Sequence, residues 1–174
     1  FILLVGSLAI FHYTYKHLKF LKILKIEYFT ISLLGLIGTM IMISANSLLM
    51  LYLGIELLSL SLYALIGFNK KSSLSSEAAI KYYVLGAMSS GILLFGISLI
   101  YGFTGSIGYD DIASQLINID INSVDYIAII FGIIFITASL CFKFGAAPFH
   151  MWVPDIYQGS LISTTILLST LPKI

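Results

Sequence analysis

The sequence predicts an all-α fold, a polytopic bundle of transmembrane helices, and three observations predict it. Of its 174 residues, 59% are hydrophobic and 10% charged, and mean hydropathy is +1.05; an ordinary soluble domain carries about 25% charged residues. The apolar residues come in runs. Ile26–Ile43, Ser47–Phe68, Leu74–Phe103 and Val124–Phe144 each approach or exceed the roughly 20 residues that cross a hydrocarbon core. Most charges fall between these runs, in short segments of one sign.

Composition also excludes whole classes. Nine basic residues, all lysine, face eight acids, for a net charge of +1. With no arginine, and with lysines inside apolar runs, there is no basic face for nucleic acid. Cys141 is the single cysteine, so no internal disulfide forms and no CxxC pair offers a zinc or iron–sulfur site. The chain is therefore expected to hold no metal and no cofactor, leaving redox chemistry to other subunits. Abundant Ile, Phe, Tyr, Lys and Asn beside absent Arg fit an AT-rich genome, and with it an organelle.

In order along the chain, Phe1–Phe11 reads as the tail of a spanning helix. His12–Lys25 follows as an interfacial segment, with Lys16, Lys19, Lys22 and Lys25 at every third position and leucines between them. Residues 1–25 thus stand apart from a membrane module over 26–174. Ser44–Asn46 marks a tight reversal and Asn69–Ser73 a loop. Serines and Glu77 open the long run that ends at Phe103, as suits a helix N-terminus. Thr104–Ser123 is polar and acidic, with Asp110, Asp111 and Asp120, and is expected to be a loop. After Val124–Phe144 comes Gly145-Ala-Ala-Pro148, a helix break, then a short piece to about Tyr157. Gly159–Ile174 begins a sixth span. A chain that opens on Phe, with a first run half the spanning length, reads as a fragment or one piece of a split subunit. Two crossings separate Lys16–Lys25 from Lys70–Lys71, so both lysine segments belong to the cytoplasmic or matrix face, and the acidic segment lies opposite.

Four charged residues lie within spans beyond the first turn of each. Glu56 is nine residues past Ser47, roughly 14 Å from the nearer end of its helix at about 1.5 Å per residue. A glutamate cannot snorkel that far, so it needs a partner or a polar interior. Lys81 lies about two turns into its helix with Glu77 four residues before it, an ordinary i,i+4 pair. Lys143 reaches mid-depth only if the break places Pro148–Tyr157 as an embedded second half. Lys173 follows Pro172, which repeats the theme of a helix break beside a lysine. His150, Trp152 and Asp155 read as an interfacial aromatic anchor.

Four stretches taken together, LGIELLSLSLYALIGF (Leu53–Phe68), SSEAAIKYYVLGAMSSGILLFGISLIYGFTGS (Ser75–Ser106), KFGAAPFHMWVPDIYQGS (Lys143–Ser160) and STLPK (Ser169–Lys173), resemble the subunit 2 family of proton-pumping NADH:ubiquinone oxidoreductase, respiratory complex I. The resemblance covers roughly Ile26–Ile174. It implies one repeat of an antiporter-like fold made of two inverted repeats with discontinuous helices. Glu56 matches the family's fifth-helix glutamate, Lys81 its sixth-helix lysine, Lys143 the lysine of its broken seventh helix and Lys173 its eighth-helix lysine. Gly145, Pro148 and Pro172 match the helix breaks. The chain departs from the pattern at Gly159–Ser163, which lacks the two prolines the family has there.

What the resemblance implies is proton translocation coupled to electron transfer from NADH to ubiquinone. FMN, iron–sulfur clusters, NADH and ubiquinone would sit in other subunits. Glu56 is expected to pair with Lys81, and separation of that pair would send a proton on to Lys143 and Lys173. The implied partners are other membrane-arm subunits, lipids, and a partner chain or continuation bearing the second repeat. The implied place is the mitochondrial inner membrane or, alternatively, a bacterial plasma membrane. A multisubunit cation/proton antiporter and a non-pumping membrane scaffold are the two rival readings.

Overall fold

The computed structural model describes residues 1–117 and 123–173. Among the described residues eight α-helices follow one another: α1 (Ile2–Phe20), α2 (Ile26–Ile43), α3 (Leu48–Ile66), α4 (Ser73–Thr104), α5 (Tyr109–Ile117), α6 (Val124–Phe144), α7 (Val153–Gly159) and α8 (Ile162–Thr170). A 3-10 turn, Leu171–Lys173, extends α8. Of the described helices, α2, α3, α4 and α6 are long and apolar enough to cross a membrane. The starts are written in serine: Ser47 accepts the Met50 amide at 3.3 Å, Ser72 that of Ser75 at 3.3 Å, and Ser123 that of Tyr126 at 3.2 Å.

The closest packing joins α2 to α3 and α4 to α6, and glycines make both contacts. A Cβ on Gly38 would stand 2.7 Å from the Leu58 amide nitrogen and 2.9 Å from the Gly54 carbonyl oxygen. A Cβ on Gly96 would stand 2.8 Å from the Gly132 carbonyl oxygen. Between membrane helices, where burying apolar surface gains little over lipid, such backbone approach supplies the association. Gly96→Val is expected to cost about 1–3 kcal/mol by overpacking, read as earlier thermal unfolding of the detergent-solubilised protein. Gly91→Ala, on the same helix with nothing within 4 Å of its Cβ position, is the control. Equal melting of the two variants would show that α4 and α6 do not pack through Gly96.

Two apolar clusters form along the bundle. One gathers Tyr28, Leu58, Leu62, Ile66, Tyr82, Trp152 and Ile156. The other gathers Leu48, Ile55, Leu93, Ile97, Ile100 and Ile112. In sequence, Glu56 and Ser90 fall where α3 and α4 pass from one cluster to the other.

The ends sort as their charges predict. Lys22, Lys25, Lys70 and Lys71 line one cavity together. The Ser44–Ser47 turn instead meets the segment after α4, where the Leu48 amide donates to the Ile107 carbonyl at 3.0 Å and Ser47 bridges Gly108.

Two expectations need correction, and a third gains detail. The tail and the interfacial segment of residues 1–25 are largely one helix, α1, which runs to Phe20 because Thr14 and Leu18 bury fully on its inner side. Residues Tyr109–Ile117 form α5 rather than loop: Asp110 and Asp111 sit in its first turn, where acids suit the helix dipole, and Ile112 buries. Asp120 lies outside the described residues. The break after α6 is made by Gly145 at φ +67, with the Gly145 amide bonded to the Phe142 carbonyl and that of Ala146 to Cys141. Pro148 lies beyond it, in the irregular stretch before α7, after a cis peptide bond. Pro172 lies within the 3-10 turn Leu171–Lys173 that follows α8.

Candidate functional site

Glu56 projects from the middle of α3 and Lys143 from the last turn of α6. The Lys143 Nζ stands 3.7 Å from Glu56 Oε1, with the two side chains 10% and 23% exposed. Two serines complete the site. Lys143 Nζ donates to Ser59 Oγ, one turn along α3 from Glu56, at 2.9 Å, and to Ser90 Oγ on α4 at 2.9 Å. The Ser90 hydroxyl in turn donates to Glu56 Oε1. Three membrane helices thus converge on one ammonium, and Ser90 stands between it and the carboxylate as acceptor of one proton and donor of another. A charge buried in a bilayer protein needs such partners. The helix C-terminus at Gly145 also places Lys143 where a cation suits the dipole.

The expected Glu56–Lys81 pair does not form. Lys81 instead bonds Glu77, one turn back on α4, at 2.8 Å and Asp155 of α7 at 2.9 Å, and its side chain is 46% exposed. The reason is level. Ser90 faces Glu56, and Lys81 lies nine residues earlier on α4, about 14 Å down the axis. Asp155, assigned from sequence to an aromatic anchor, is the second acid on this lysine and ties α4 to α7.

The rest of that anchor also divides. Trp152 is buried, 4.9 Å between ring centroids from Tyr82, and its indole N–H donates to the Phe142 carbonyl at 3.1 Å. His150 is exposed. The indole thereby takes a carbonyl from the last turn of α6 and braces the turn that holds Lys143.

Lys173 is exposed in the 3-10 turn. Its neighbour Pro172 lines a cavity of about 170 Å³ with Lys143, Ser59, Leu58, Leu140 and Phe144. The linker at Ser160–Leu161 is extended, and Ser160 Oγ meets Thr165 Oγ1 at 2.7 Å, so α8 begins without the missing prolines. Ser59 and Ser90 were not singled out from the sequence. Both are buried, as are their near neighbours Ser61 and Ser89, which point to other partners: Ser61 packs on Gly35 and Ser89 bonds Ser139.

The chain is similar to known proteins in sequence and in fold. A curated NADH-quinone oxidoreductase subunit N from Ruthia magnifica subsp. Calyptogena magnifica is 46% identical over 172 residues, 99% of this chain and 36% of the relative. That from Thiobacillus denitrificans is 48% identical over 163 residues, 93% of this chain and 33% of the relative. The chain thus spans about a third of the length of the curated relatives it matches. Among solved structures, respiratory complex I from Thermus thermophilus with bound aureothin superposes with a TM-score of 0.72 at 31% identity, over 86% of this chain and 32% of the other. The Mrp complex from Dietzia sp. DQ12-45-1b superposes with a TM-score of 0.67 at 22% identity, over 80% of this chain and 26% of the other, and shares the fold. Residues 45–174 match the family model described as NADH:quinone oxidoreductase/Mrp antiporter, TM, and the chain belongs to that family.

Proposed function

We propose that the chain is a proton-translocating membrane module of a respiratory NADH:quinone oxidoreductase, of the subunit 2 (subunit N) type. One observation carries the reading: the Lys143–Ser90–Glu56 chain of hydrogen bonds, assembled across α6, α4 and α3 inside an apolar bundle. A structural ion pair needs no hydroxyl between its members. Here the hydroxyl is oriented to pass a proton.

The step balances without any further group. Lys143 gives one proton to Ser90 Oγ as Ser90 gives its own to Glu56, leaving a neutral amine, a neutral carboxyl and an unchanged serine. Whether that exchange is favoured depends on how far the carboxylate stands from the ammonium. A buried ammonium with its counter-ion close stays charged, and one whose counter-ion has moved away is driven to release its proton. Lys143 and Pro172 line one cavity, and Lys173, the residue after Pro172, is the next station in this reading. Lys81, held by Glu77 and Asp155, stands on the lysine-rich side of the relay as its supply. Electron transfer from NADH to quinone, with FMN and iron–sulfur clusters, belongs to other subunits of the complex, so coupling reaches this module through neighbouring membrane-arm subunits. A second repeat, in a continuation or partner chain, supplies the exit-side lysine. The bacterial relatives support a bacterial plasma membrane over a mitochondrial inner membrane as its place.

The test is the native complex purified from the host membrane. Bound flavin and iron–sulfur clusters, with NADH-driven acidification in proteoliposomes, are the expected result. Cation/proton exchange by a complex devoid of both cofactors would assign the chain to the antiporter branch of the family instead.

A further inference from the structure

We propose that the lysine-rich end of the bundle is a binding site for one anionic phospholipid, its phosphate held by Lys22, Lys25, Lys70 and Lys71 and an acyl chain laid along α2. Two cavities meet there. The first, of about 370 Å³, is lined by Lys22 to Lys25 from the α1–α2 connection and by Phe68 to Lys71 from the α3–α4 connection. Among the described residues it contains four lysines, the Asn69 amide and no carboxylate. The second, of about 440 Å³, is an apolar groove of Tyr15, Leu24, Ile26 and Phe29. Leu24 and Lys25 line both, so a cationic pocket adjoins a greasy one. Lys19 lies over the Tyr15 ring, 5.9 Å from its centroid, at the rim of the groove.

That pairing matches an amphiphile rather than a soluble anion, because free phosphate leaves the groove unused. Basic pockets between membrane helices on the cytoplasmic or matrix side are suited to anionic headgroups, and each lysine near such a surface contributes about fivefold in affinity. The nearest acid in sequence, Glu27, is exposed in the first turn of α2 and lines neither cavity.

The backbone adds an independent sign. α1 closes with Lys22 at φ +56, the Ile23 amide reaching back to the Leu18 carbonyl at 3.1 Å. A helix end of this kind favours glycine, and a lysine there holds a strained conformation. Strain retained at a residue that lines the pocket fits a side chain kept for binding.

The experiment uses the intact complex that carries this chain, in mild detergent, with phosphatidylglycerol bearing a photoactivatable group on one acyl chain. Labelling is expected on residues 15–29. It should be competed by unlabelled phosphatidylglycerol and unaffected by phosphatidylcholine or inorganic phosphate. Lys22→Gly relieves the backbone and so retains the fold, yet should weaken labelling about fivefold; Lys71→Gln should do the same without touching α1. Competition by inorganic phosphate would assign the pocket to a free anion and overturn the proposal. So would labelling equal in parent and variants, or no labelling because an acidic face of another subunit covers the lysines.

Discussion

Glu56→Gln is expected to abolish proton translocation by the assembled complex and also to lower its assembly, and a double variant separates the two effects. In the parent, the Lys143 ammonium is nearly buried, with Glu56 3.7 Å away as its counter-ion. Removing that charge leaves Lys143 with two serine hydroxyls and no anion, a loss of about 3–5 kcal/mol for a buried pair broken on one side. Lys143→Met alone strands the carboxylate in the same way. Replacing both, as Glu56→Gln with Lys143→Met, removes the stranded charge, and such double replacement is often neutral for stability. Assembly should therefore recover in the double variant, measured as the yield of intact complex, and translocation should not. Recovery of both would mean that the pair only holds α3 to α6, and the scaffold reading would replace the pumping one.

This test concerns a pair that sequence reasoning placed only by half. The bundle itself was legible: α2 and α6 begin and end where the apolar runs do, and α3 and α4 differ from theirs by a residue or two. Composition and run length decide those elements, because a backbone in lipid must bond itself. The helix break at Gly145 was legible too, since glycine in a left-handed conformation is a local event. Helix α5 was not, because a nine-residue segment opening on Asp110 and Asp111 carries a helix only once Ile112 finds the second apolar cluster.

Of the site, Glu56 was marked in sequence by its cost in lipid and Lys143 by the helix break beside it. Their pairing was not, because it depends on the relative heights of α3, α4 and α6. Lys81 looked like the partner of Glu56 until α4 was seen to present Ser90 at that level and to leave Lys81 beside Asp155. The serines were invisible for a related reason: in membrane helices a hydroxyl can bond its own backbone, as Ser61 does to Leu57 at 2.8 Å. Nothing local separates such a serine from one that bridges two charges.

Ser90→Ala is accordingly the sharpest probe of mechanism, and its effect should fall on rate rather than assembly. The substitution removes one hydroxyl from a site that keeps Glu56, Ser59 and the full positive charge of Lys143. Lys143 retains its 2.9 Å bond to Ser59, and the carboxylate retains its counter-ion. What disappears is the shuttle. Lys143 Nζ lies 3.7 Å from Glu56 Oε1, beyond the roughly 3.2 Å over which a heavy-atom pair passes a proton directly. A positioned proton-transfer group contributes about 100-fold or more, so proton uptake by proteoliposomes should slow by about that factor while the yield of complex stays near the parent's. Ser90→Thr, which restores a hydroxyl, should recover much of the rate, and Ser59→Ala, which removes a donor-side anchor outside the relay, should lose far less. Equal rates for Ser90→Ala and the parent would show that proton transfer does not pass through this hydroxyl.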